Sequence, residues 1–158
     1  MKPTLFLRIA SVITFIHAVL HTIGGVFGTV APGPATAAVH AMKLNQFLLL
    51  GHTRSYWDFY LGLGLAASIT LTAEAVVFWQ LASLSKTDAA RLRPVIATFL
   101  LAYVVLAVNS SAYFFIGPVI TEILIAACLA VAFIGAKPHA SQTVSSRFSV
   151  ADTRPPSA

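Results

Sequence analysis

Charge is what this sequence has least of. Only 9% of its 158 residues are Asp, Glu, Lys or Arg, and five of them are acidic; an average soluble domain carries about 25% charged residues. A single domain of this length cannot cover itself with a wet surface on so little charge, which excludes a soluble globular protein. Cysteine is scarce too. The single residue, Cys128, sits inside an apolar run, so an intramolecular disulfide framework and a cysteine-built metal or iron–sulfur centre are both excluded. Also missing are a G-x-S-x-G elbow, a phosphate-binding loop and an H-E-x-x-H pair, which leaves an enzyme as the least supported function class.

What the chain has is hydrophobic length. Apolar residues make up 58% and the mean hydropathy is +0.84. About 20 apolar residues cross a bilayer as a helix, and four runs qualify: Leu5–Val30, Tyr56–Leu84, Pro94–Tyr113 and Ile116–Ala136. Trp57 and Trp79 lie roughly 33 Å apart along the second, the spacing of two membrane interfaces. The third and fourth runs are separated only by a turn at Phe114–Pro118. These runs predict an all-α membrane protein, a four-transmembrane-helix bundle occupying residues 1–136. Residues 137–158, rich in Ser, Thr, Ala and Pro without apolar periodicity, are expected to form a disordered cytoplasmic tail.

Ala31–Pro34 breaks the chain after the first run. Val39, Met42, Gln46, Phe47 and Leu50 then recur at helical spacing, which predicts a short interfacial helix over Ala35–Leu50 on the outer membrane surface. An alternative for the first run is a cleaved signal peptide ending at Ala35-Thr36-Ala37; its length, and the presence of His17 and His21 within it, argue against that. With the N-terminus inside, eight Lys and Arg residues fall on the cytoplasmic side and two, Lys43 and Arg54, on the other, so both termini are expected in the cytoplasm. The basic residues are dispersed and flank apolar runs, a placement that suits lipid headgroups and not nucleic acid.

Ionisable groups inside lipid are costly, about 2.5–3.5 kcal/mol for Asp, Lys or Arg at a helix centre, and they are the best leads to function. His17 and His21 are one turn apart on the first span and share a face, a geometry for chelating a metal or passing a proton; the alternative is that each bonds a neighbouring helix and only holds the bundle together. Arg54, Ser55 and Asp58 open the second span. They can form a local capping box and an i,i+4 ion pair, or Arg54 or Asp58 can turn inward to bind a ligand. Glu122 lies roughly 9 Å below the outer end of the fourth span and His21 roughly 13 Å below that of the first, with Asn109 and Ser110 in the same layer. His17, His21, Asp58, Asn109 and Glu122 are therefore candidates for one cluster in the outer half. Glu74 lies too deep to join it, and can be neutral, paired with Arg91 or Arg93, or a separate inner polar step. Gly62, Ala66 and Thr70 form a small-residue stripe expected to pack against another helix.

The segments H-A-V-L-H-T-I-G-G (His17–Gly25) and R-S-Y-W-D-F-Y-L-G-L-G (Arg54–Gly64) resemble a family of small, uncharacterised four-helix bacterial membrane proteins carrying H-x-x-x-H-T-x-G and R-S-Y-W-D-F-Y-x-G-x-G. The resemblance covers roughly residues 1–135. It implies the four-span fold and a bacterial inner membrane, and it implies no activity. Two functions compete: a site for a metal, proton or small ligand built from His17, His21 and Asp58 with Glu122, or a structural subunit of a larger membrane complex or homo-oligomer. No cofactor is specified by the sequence. Bis-histidine haem fits poorly, because one helix face cannot supply both axial ligands.

Overall fold

A computed structural model describes residues 2–137; the expected tail over 138–158 lies outside them. Helix α1 (Pro3–Leu20) starts with proline at its first position, where no backbone donor is lost. It continues into a π-helical turn, His21–Val26. Helix α2 (Pro34–Leu44) follows the A-P-G-P break, then strands β1 (Gln46–Leu49) and β2 (His52–Ser55), and then the long helices α3 (Tyr56–Asp88), α4 (Arg93–Tyr113) and α5 (Ile116–Gly135), with a 3₁₀ turn at Ala90–Leu92. Four helical segments, Pro3–Val26, Tyr56–Asp88, Ala90–Tyr113 and Ile116–Gly135, are long and apolar enough to cross a membrane.

The segment between the first two spans corrects the sequence expectation. Helix stops at Leu44, and Phe47–Leu50 belong to a β-hairpin in which Gln46 pairs with Ser55 and Leu49 with His52. Asn45 ends the helix because its side-chain amide donates back to the Ala41 carbonyl at 2.8 Å, while the Tyr56 N–H donates to the Asn45 carbonyl and closes the hairpin base. The tip, Leu50-Gly51, has positive φ at both residues, 51° and 81°, the geometry of a two-residue primed turn.

Helix α1 packs along α3 on one flank and α5 on the other, and α4 packs along α5. A ladder of hydroxyls joins α1 to the antiparallel α3. Thr4 bonds Ser85 at 2.8 Å, Ser11 donates to the Ala75 carbonyl at 2.6 Å and the Thr22 and Ser68 hydroxyls bond each other at 2.8 Å. Between helices in lipid such bonds hold the register because no water competes for them. The apolar core lies toward the end that carries the start of α1 and the α3–α4 connection: Leu7, Ala10, Phe78, Leu81, Ala82, Ile96, Ile125, Leu129 and Ala132 are buried together. Leu5, Val12, Leu63, Ile69, Leu101, Val105 and Ile120 face outward, as a lipid-facing surface requires.

One further expectation changes at this level. Gly62, Ala66 and Thr70 face away from the bundle, and a Cβ on Gly62 would meet nothing within 4 Å. The close approach is made instead by Gly64, where a Cβ would stand 3.0 Å from Val26 Cγ2. Both stripes are composed of small residues; the hydroxyl ladder to α1 decides which one turns inward.

Candidate functional site: a polar tier above the apolar core

The core ends at Tyr103, whose ring is buried against Phe78 and whose hydroxyl donates to Glu74 Oε2 at 2.6 Å. Glu74 is thus held by the facing helix, and neither Arg91 nor Arg93 pairs with it. Two turns further along α4, Ser110 donates to Glu122 Oε1 at 2.9 Å, both residues being buried. The second carboxylate oxygen, Oε2, is buried with no partner.

Register places the histidines in the same layer. The α1–α3 pairings put Glu74 level with about residue 12 or 13 of α1, and the seven residues from Tyr103 to Ser110 raise that level to about residue 19 or 20. By this count Glu122 falls near the height of the α1 turn that ends in His21. Thr4, Ser11, Thr22 and His21 all bond to α3. The flank carrying Phe6, Ala10, Ile13 and His17, about 120° round the helix from Ser11, is turned away from that ladder, and α5, which bears Glu122, also packs along α1. His17 Nδ1 is buried and unpartnered, so two orphaned polar atoms, one nitrogen and one carboxylate oxygen, lie on adjoining helices. Each costs about 1–3 kcal/mol if nothing satisfies it.

His21, unlike His17 Nδ1, has a partner. His21 Nε2 lies 3.1 Å from the Gly64 carbonyl; a carbonyl only accepts, so this nitrogen carries the proton and Nδ1 is left as the basic one. Its ring sits over Gly25, where a Cβ would come within 3.3 Å of Nδ1. The π-helical turn that begins at His21 makes this arrangement: the Thr22 hydroxyl donates to the Ala18 carbonyl at 2.7 Å, back-bonding that with two following glycines lets the turn widen.

The other sequence candidates lie elsewhere. Asp58 Oδ2 accepts from the Ser55 N–H at 2.7 Å and from the Ser55 hydroxyl at 2.9 Å, a complete capping box at the start of α3. Arg54 is on β2, exposed, and donates to its neighbour's carbonyl, Thr53 O; the expected Arg54–Asp58 pair is not formed, and Arg91–Asp88 is the ion pair found among the described residues. Asn109 is exposed on α4, and the adjacent Ser110 reaches the tier in its place. Thr14, fully buried and donating to the Ala10 carbonyl at 2.8 Å, lies on the buried α1 stripe Leu7–Ala10–Thr14 and was not singled out by sequence. Among the described residues no group of three or more His, Cys, Asp or Glu is placed to hold a metal ion. Open grooves of about 580 Å³ beside Pro32 and His40 and about 380 Å³ along Ser68–Val76 are lined by none of His17, His21 and Glu122.

The fold defines a class, a helical bundle with four helices long and apolar enough to span a membrane. Compared with protein families, curated proteins and solved structures, the chain matches none.

Proposed function

We propose that this chain is a multi-pass protein of the bacterial inner membrane, both termini cytoplasmic, that binds a proton or a water-sized polar ligand between His17 and Glu122. The observation that carries the reading is the pair of orphaned buried atoms, His17 Nδ1 and Glu122 Oε2, on adjoining helices. A carboxyl and an imidazole differ by one proton in what they offer, so one proton and one bridging water satisfy both. A divalent metal has less support. His17 and His21 supply two imidazoles, of which His21 already bonds the Gly64 carbonyl through Nε2, and structural zinc takes four ligands.

Infrared difference spectra of the protein in bilayers test the proton. A carboxyl carbonyl band that titrates, vanishes in Glu122→Gln and shifts its midpoint in His17→Gln is the expected result. A Glu122 band indifferent to His17 sinks the shared site. A second reading, a structural subunit of a larger membrane complex or a homo-oligomer, draws on the outward-facing Gly62, Ala66 and Thr70, which leave α3 a smooth face for another helix. In that case neither variant changes the spectrum beyond the loss of the band, and both lower stability.

A further inference from the structure

Arg8 lies five residues past the first residue of α1, about 7–8 Å along the helix from its inner end. Its guanidinium carbon is 5.0 Å from the centroid of the Trp79 ring on α3, and its Nε is buried with no hydrogen-bond partner. No carboxylate of the described residues pairs with it. The other two arginines at this end are occupied. Arg91 is held by Asp88 at 2.9 Å, and Arg93 lies over the Phe133 ring and donates to the Ala136 carbonyl. Around Arg8 the inner end also carries Lys2, Lys86 and Lys137, so six cations face one acid, Asp88, among the described residues.

We propose that Arg8 and Trp79 form a site for the phosphate group of an anionic phospholipid in the adjoining leaflet. An arginine at this depth extends its stem toward the headgroups and keeps its charge at the polar boundary. The indole face fixes the guanidinium plane, leaving the two terminal nitrogens as a fork that fits two phosphate oxygens, a match the neighbouring lysines cannot make. The Trp79 N–H, without a partner among the described residues, is a further donor at the level of the ester and phosphate oxygens. The surplus of cations at this end draws anionic lipid to it in preference to zwitterionic lipid. The site is independent of the His17–Glu122 tier and stands or falls apart from it.

The experiment uses the full chain carrying Trp57→Phe, so that Trp79 is the sole indole, in phosphatidylcholine nanodiscs with increasing phosphatidylglycerol whose acyl chains are brominated. Quenching of Trp79 is expected at about fivefold lower mole fraction of brominated phosphatidylglycerol than of brominated phosphatidylcholine. Arg8→Gln abolishes that preference and Arg91→Gln keeps it. Equal quenching by the two lipids overturns the site, and so does an equal loss in both variants, which is the mark of diffuse attraction. Millimolar inorganic phosphate that relieves the preference assigns the fork to soluble phosphate and overturns the lipid as ligand. If Arg8→Gln does not fold, Arg8→Lys decides, because it keeps charge and stem but loses the fork: an unchanged preference overturns the proposal.

Discussion

Glycines two residues apart on α3 have opposite duties. Gly64 lies against Val26, with room for a Cβ only 3.0 Å from Val26 Cγ2, and its carbonyl also receives His21. Gly62 faces outward with open space around it. Gly64→Leu is expected to destabilise the bundle by about 1–3 kcal/mol, the range for overpacking, and Gly62→Leu to leave it nearly unchanged, because lipid accepts the side chain. Unfolding of the two variants in mixed micelles checks this, and equal losses would place both glycines in the packed seam. Gly62 and Gly64 look alike in the sequence, and periodicity alone selected the wrong one, since small residues recur on both sides of the helix.

At the scale of elements, the start of α3 and the hairpin before it were read with different success for one reason. A capping box is local: Ser55 and Asp58 satisfy each other's backbone within one turn, so S-x-x-D sufficed to find it. Ser55→Ala is expected to cost about 1 kcal/mol, read as a lower melting temperature with the helix content of the folded protein retained. The hairpin had no such signal. Its turn uses Leu50 in the left-handed region, where Asn or Gly is the usual choice, and the apolar spacing over Val39–Leu50 mimicked a helix. Leu50→Asn should therefore stabilise the protein by roughly 1 kcal/mol by relieving backbone strain. A variant that melts lower than wild type would show that the Leu50 side chain, 91% exposed among the described contacts, has a partner in the membrane.

At the scale of the whole molecule, the uneven distribution of charge sets the expected orientation. Lys2, Arg8, Lys86, Arg91, Arg93 and Lys137 lie at one end of the bundle, and Lys43 and Arg54 at the other, which predicts the first end in the cytoplasm. In a Cys128→Ala background, a membrane-impermeant thiol reagent applied to intact spheroplasts should label Asn45→Cys and spare Asp88→Cys. The reverse pattern would invert the protein and turn the His17–Glu122 tier toward the cytoplasm.

Four spans, their boundaries within a few residues and the tight α4–α5 connection follow from the sequence by itself, because crossing a bilayer imposes a length and a composition on each helix without reference to its neighbours. The depth of each polar residue along its own helix was also legible, because it needs only the rise per residue. Which way each side chain faces was not. Asp58 turned back to Ser55, Asn109 faced outward where Ser110 faced inward, and Glu74 found Tyr103 across 29 residues of chain. Rotation about a helix axis is fixed by what the neighbouring helix offers. In a chain with apolar residues on every side of its helices, only the tertiary hydrogen bonds, from Thr4–Ser85 to Ser110–Glu122, distinguish the inward face from the one that meets lipid.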